Sequence, residues 1–223
     1  MGKKDLEQKI SQGREYRNLS VPLNVRKKED GTDDDEYVVE GYATTFNEKY
    51  LLFEYKSNWD KKIYRFFEVV DSKAFNSCDM GDVIMQYNHE GRVYARTRNK
   101  TLDITPDEHG LKVRADLSGT ELGKQLFEEI KGGYTDKMSF GFTIEEEKRD
   151  SHEEDDVVTI TRTITKIGKL YDVSAVSIPA NDATEISARS FQEGFIKELE
   201  SERTKVEKRE ALRLRIKIRS EGN

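Results

Sequence analysis

Three residues in this 223-residue chain have the side chains that acyl transfer uses: a hydroxyl, an imidazole and a carboxylate. Ser139 lies in Lys137-Met138-Ser139-Phe140-Gly141-Phe142, a polar group in an apolar setting, and such a group needs a hydrogen-bond partner. That partner is either a neighbouring main-chain carbonyl or a base that turns the hydroxyl into a nucleophile. His89 stands where the apolar run Asp82 to Tyr87 ends, between Asn88 and Glu90. It reads either as a structural imidazole or as that base. Asp172 opens the apolar run Val173-Ser174-Ala175-Val176. It reads either as an edge carboxylate in water or as the group that orients the His89 ring.

Other chemistries find less support. His109 sits in a turn and His152 in an acidic run, with no second histidine at metal-ligand spacing near His89-Glu90. No Gly-x-Ser-x-Gly elbow, phosphate loop or dinucleotide fingerprint occurs, so no cofactor and no metal is expected. Cys78, the single cysteine, has Asn76, Ser77 and Asp79 beside it and no basic group to favour a thiolate, so it reads as a small packing residue. One cysteine excludes an intrachain disulfide and fits a reducing compartment.

The elements that must position these residues follow from the hydrophobic period. Strand alternation is expected over Leu19 to Arg26, with Pro22 at an edge, and over Glu36 to Phe46. Further strands are expected over Ile63 to Val70, Asp82 to Tyr87, Arg92 to Thr97, Thr101 to Thr105 and Gly110 to Leu117. Asn88 to Gly91 reads as a turn. Thr120 caps a helix whose Leu122, Leu126 and Ile130 recur every four residues, and Gly132-Gly133 stops it. Met138 to Glu145 is a strand, Glu146 to Asp155 a solvated acidic loop, Asp156 to Ile167 a return strand, and Tyr171 to Ile178 the last core strand. About eight short strands and one clear helix predict an α+β fold, mainly antiparallel β, as a closed or strongly curved barrel with flanking helices. Missing helical crossovers argue against a parallel βαβ architecture.

Domain boundaries follow composition: a polar arm over 1–18, a β-barrel domain over 19–189 and a charged C-terminal extension over 190–223. In the extension, Phe191, Phe195, Ile196 and Leu199 make one apolar stripe. Leu212, Leu214, Ile216 and Ile218 then alternate with Arg213, Arg215, Lys217 and Arg219, at strand period. A net charge of −6 argues against nucleic acid as the main partner. No run approaches the ~18 apolar residues that span a bilayer, and no signal-peptide core is present, so a soluble intracellular protein is expected. Met1-Gly2 is not a myristoylation signal, because Leu6 stands where Ser or Thr is needed.

Three segments in order carry a resemblance: Val83-Ile84-Met85-Gln86-Tyr87-Asn88-His89, then Lys137 to Phe142, then Asp172-Val173-Ser174-Ala175-Val176-Ser177-Ile178-Pro179-Ala180-Asn181. Gly41 to Phe46, Phe67 to Val70 with Ala74-Phe75, and Gly110-Leu111 fit the same pattern. Together they resemble the prohead (procapsid maturation) proteases of tailed bacteriophages, whose fold is similar to the herpesvirus assemblins. The likeness runs from about Val38 to Ala183. It implies a Ser–His endopeptidase with the family's serine on Ser139 and its histidine on His89. The family often has Glu where this chain has Asp172, so the third member has a shorter reach here.

The resemblance further implies cleavage of scaffold, or of the scaffolding segment of the major capsid protein, inside the procapsid in the host cytoplasm. It leaves self-association open and makes the C-terminal extension a self-removed tail or a scaffold-docking segment. The oxyanion donors are expected near Gly132 to Lys137. A catalytically inactive assembly protein on the same fold is the alternative.

Overall fold

The computed structural model describes residues 13–25, 37–177, 194–197, 201 and 203–213. Two strands form its spine. β10 (Lys137–Glu154) and β11 (Val157–Val176) make one long antiparallel hairpin that turns at Asp155 and Asp156. The acidic run expected to be a loop is therefore strand, with Glu153 across from Val158 and Glu147 across from Ile164. Charge density misled the reading: a ribbon open to water on one side tolerates carboxylates there. Lys166 offsets Glu145, and Lys62 pairs with Glu153.

The remaining strands are β1 (Glu15–Pro22), β2 (Asn24–Val25), β3 (Val38–Thr45), β4 (Tyr50–Lys56), β5 (Ile63–Val70), β6 (Ile84–Tyr87), β7 (Glu90–Arg96), β8 (Leu102–Pro106) and β9 (Gly110–Asp116). β11 pairs in parallel with β5 along its first half and with β6 along its second. One sheet runs β1-β10-β11-β5-β4, with β6 and then β7 branching from β11. The second sheet runs β2-β3-β9-β8.

No sheet closes, so the expected closed or strongly curved barrel is corrected to two open sheets in an α+β fold. Closure requires first and last strands to pair. Among the described residues β1 is bonded only to β10 and β4 only to β5, and the twenty-residue β11 splits its far edge between two partners. The two parallel ladders were not expected because the chain passes through strands of both sheets, as well as α1 (Glu121–Lys131), before β11 returns beside β5 and β6, so no simple βαβ pattern marks them. The first strand also starts at Glu15, inside the segment read as a polar arm.

The core lies where the sheets meet. Met138, Phe140 and Phe142 of β10 join Val70, Phe75, Met85, Leu111, Val113 and Leu117, all buried. Alternation puts Ser139 and Gly141 on the other face of β10, which is also covered, as central strands require. Helix α1 (Glu121–Lys131) starts at Thr120, whose side chain accepts from the Gly123 N–H, and it buries Leu126, Phe127 and Ile130. Leu122 sits on the rim instead, 37% exposed.

The chain divides into two compact units, Met1–Thr184 and Glu185–Asn223. In the second, residues 194–197 and 203–213 are helical, and Arg203 pairs with Glu207 at 2.8 Å. Leu212 and Arg213 thus lie in a helix, where alternation suggested strand. The rest of that basic run, Phe191 and Leu199 of the apolar stripe, the turn over 27–35, and Ile178 to Asn181 lie outside the described residues.

Candidate active site

Ser139 and Asp172 come from neighbouring strands, and His89 from the turn that follows β6. Ser139 and Gly141 on β10 stand opposite Ser174 and Asp172 on β11. β6 flanks β11 on its other side, and the Asn88 N–H bonds the Ala175 carbonyl at 3.0 Å. β6 and β7 are joined by the two-residue turn Asn88-His89, in which both residues have positive φ, 49° and 61°. That is the backbone of a type I′ hairpin turn, whose twist suits the flanking strands. Asn and His tolerate it better than most residues, and a held positive φ at a non-glycine residue often marks a functional position. The turn swings His89 back over β11.

The result is a continuous chain of polar contacts. His89 Nε2 lies 2.5 Å from Ser139 Oγ, and His89 Nδ1 lies 2.5 Å from Asp172 Oδ1. The carboxylate fixes which nitrogen carries hydrogen: Nδ1–H donates to Asp172, so Nε2 presents its lone pair to the hydroxyl. Ser174 Oγ donates to the same Asp172 oxygen at 3.0 Å. Asp172 Oδ2 pairs with Arg14. Ser139 and Asp172 are fully buried, and the His89 side chain is 2% exposed. Burial sharpens each of these interactions, because little water competes for them.

Several residues here carried no motif. Arg14, Tyr16 and Arg17 lie on or just before β1, which pairs with β10 so that Asn18 stands opposite Ser139. The Tyr16 ring meets the His89 ring edge-on at 4.5 Å, and the Arg17 carbonyl accepts from Ser139 Oγ at 2.9 Å. Burial raises the Tyr16 phenol, with the Asp172 charge adding to it.

Beneath β1 lies a buried charge cluster. Glu68 of β5 holds Arg17 through two bonds, 2.6 and 2.8 Å, and Arg162 of β11 holds Glu15 at 3.0 and 3.1 Å. Glu147 binds Arg162 at 2.6 Å, and Tyr50 donates to Glu68. Burial alone would raise the Glu15 carboxyl, but Arg17 and Arg162 hold it down at about 2. The Arg17 guanidinium resists the opposing pull of burial and stays well above its ordinary value because Glu68 and Glu15 face it. The signal for this cluster was in the sequence: Glu68 and Arg162 occupy inward positions of otherwise apolar alternations.

Other expectations concern the end of α1, the cysteine and the remaining histidines. The Gly132, Gly133 and Tyr134 N–H groups all bond carbonyls of α1, so they are occupied by the helix end. Cys78 is half-buried, and burial pushes its thiol up to about 11, which suits a packing role. His109 stacks edge-on against Tyr42, and His152 pairs with Thr159 toward the opposite end of β10 from Ser139. Among the described residues, no group of three or more His, Cys, Asp or Glu is arranged to hold a metal ion.

A family model described as caudovirus prohead serine protease matches residues 22–196, more than three quarters of the chain. The chain belongs to that family. Membership makes this a serine protease of phage proheads, with capsid or scaffold proteins as the class of substrate. No curated protein and no solved structure matches the chain. The matched span of the protease holds β3 through β11 and α1, and so contains Ser139, His89 and Asp172. Residues 15–21 of β1 fall outside it. No described helix of the protease is long and apolar enough to cross a membrane.

Proposed function

We propose that this protease is an endopeptidase with Ser139 as nucleophile, His89 as general base and Asp172 as the group that orients and charge-balances the imidazole. The observation that carries the reading is the unbroken line from Ser139 Oγ to His89 Nε2 and, across the ring, from His89 Nδ1 to Asp172 Oδ1, both contacts 2.5 Å. As Oγ attacks the peptide carbonyl carbon, its proton passes to Nε2. The new C–O bond turns the carbonyl oxygen into an oxyanion. When that intermediate collapses, the C–N bond breaks and His89 gives the proton to the departing amine, leaving an ester on Ser139. Water activated by the same nitrogen then releases the acid and restores the hydroxyl.

Asp172 stabilises the transient imidazolium through its bond to Nδ1. The one-methylene difference from Glu is absorbed by the sheet: Asp172 sits directly across from Gly141, close enough for its short side chain to reach Nδ1. The substrates we propose are scaffold or the scaffolding segment of the major capsid protein, and the chain itself, within the procapsid in the host cytoplasm. The C-terminal unit is proposed as a segment that docks on scaffold or is removed during maturation.

The test is co-expression of the full chain with the capsid and scaffold proteins it accompanies, followed by intact-mass measurement. Shortened products that vanish with Ser139→Ala support the reading. Full-length partners with the wild-type chain would support an inactive assembly protein instead.

A further inference from the structure

One strand touches every member of the site. Arg14, at the entry to β1, pairs with Asp172; Tyr16 covers the His89 ring; the Arg17 carbonyl takes a hydrogen bond from Ser139. A serine hydroxyl has one proton, so while it points at Arg17 it is not donated to His89 Nε2. The Arg17 carbonyl presents its oxygen to Oγ, and attack requires the carbon. β1 is added antiparallel along β10 beside Ser139, the way an extended peptide adds to the edge of a sheet.

The opposite face of β1 is buried against charged groups. Strand period sends Glu15 and Arg17 to the same side, away from Tyr16, into the cluster of Glu68, Arg162 and Glu147. Those groups stay behind if β1 leaves. Glu68 offers a two-oxygen fork that matches a guanidinium, and Arg162 offers two N–H groups that match a carboxylate. Buried ion pairs give little net stability relative to apolar packing, and one-sided removal is costly. A site built this way discriminates: a strand with an apolar residue in either position strands a buried charge.

Resting on the protease reading above, we infer that β1 occupies the substrate groove and that Glu68 and Arg162 form a paired subsite. It selects a strand carrying an acidic residue two positions before a basic one, with the carbonyl of the basic residue facing Ser139. Cleavage then falls after the basic residue.

The test uses full-length protein, full-length Arg17→Ala, in which β1 loses its grip on Glu68, and Ser139→Ala as background. Each is given peptides of one length with Glu-x-Arg, Leu-x-Arg, Glu-x-Leu or Leu-x-Leu at the centre, and a chymotryptic peptide mixture for an unbiased profile. The expected result is cleavage after Arg, at least tenfold faster for Glu-x-Arg than for Glu-x-Leu, and faster with Arg17→Ala than with wild type. Glu68→Gln, placed in the Arg17→Ala chain, is expected to shrink that ratio below threefold. If the doubly substituted chain does not fold, the peptide ratios with Arg17→Ala alone decide the question. Ser139-dependent cleavage with no preference for Arg over Leu overturns the subsite and leaves the protease reading standing. No Ser139-dependent cleavage of any peptide overturns the protease reading itself.

Discussion

Gly141 on β10 lies directly across the ladder from Asp172 on β11, and the space a side chain would fill there is taken. A Cβ at Gly141 would fall 2.5 Å from Asp172 Oδ2, 2.8 Å from Tyr16 and 3.0 Å from the Arg14 side chain. The glycine lets the carboxylate lie flat against the strand that carries the nucleophile. Gly141→Ala is expected to push Asp172 off His89, lowering proteolysis at least a hundredfold, and to cost about 1–3 kcal/mol of stability through overpacking. Peptide cleavage rates beside urea unfolding check both; unchanged cleavage would show that Asp172 is not held in this way.

Asp172 accepts from three side chains, so its removal has a graded effect. Asp172→Asn keeps the shape but offers an N–H where His89 Nδ1–H also donates, so the ring is driven towards the wrong tautomer. Loss of about 10²–10⁴ in kcat is expected, smaller than the loss in Ser139→Ala or His89→Ala. Wild-type activity in Asp172→Asn would remove it from the mechanism.

The three residues that the structure brings together were singled out by the family resemblance; taken alone, Ser139, His89 and Asp172 each also read as structural polar groups. β1 was not readable. Gly13 to Asn18 is polar and charged, and nothing local says that Glu15 and Arg17 find partners 51 to 147 positions away. Arg162 was visible as the one charged member of an apolar alternation, yet only the paired sheet reveals its three carboxylate neighbours. The barrel failed for a related reason: strand count is local, whereas closure depends on which strand each edge meets, and β11 divides its edge between two.

Arg162 is 2% exposed and bonds Glu15, Glu68 and Glu147. Arg162→Met leaves those carboxylates facing one another with less compensation. A loss of about 3–5 kcal/mol is expected by urea unfolding. A change under 1 kcal/mol would mean that water or a neighbouring cation takes its place.

Glu15 gives a pH signature. Its carboxyl is held at about 2 in the fold, against 4.5 when free. A depressed carboxyl contributes stability that is complete above the unfolded value and is lost as pH falls through the folded one. The difference in unfolding free energy between wild type and Glu15→Gln is therefore expected to be constant above about pH 5. It should shrink from pH 4.5 downward and vanish near pH 2, a total on the order of 3 kcal/mol. A difference independent of pH over that range would contradict the ion pairs with Arg17 and Arg162.

The central claim is that His89 activates Ser139, and covalent labelling by a serine-directed phosphonate measures it at the atom concerned. The account predicts an adduct on the peptide containing Ser139 in the wild-type chain. Labelling should be faster in Arg17→Ala, where β1 is loosened, and should be absent in His89→Ala that still unfolds cooperatively. Equal labelling with and without His89, or no adduct on Ser139 even in Arg17→Ala, would contradict it.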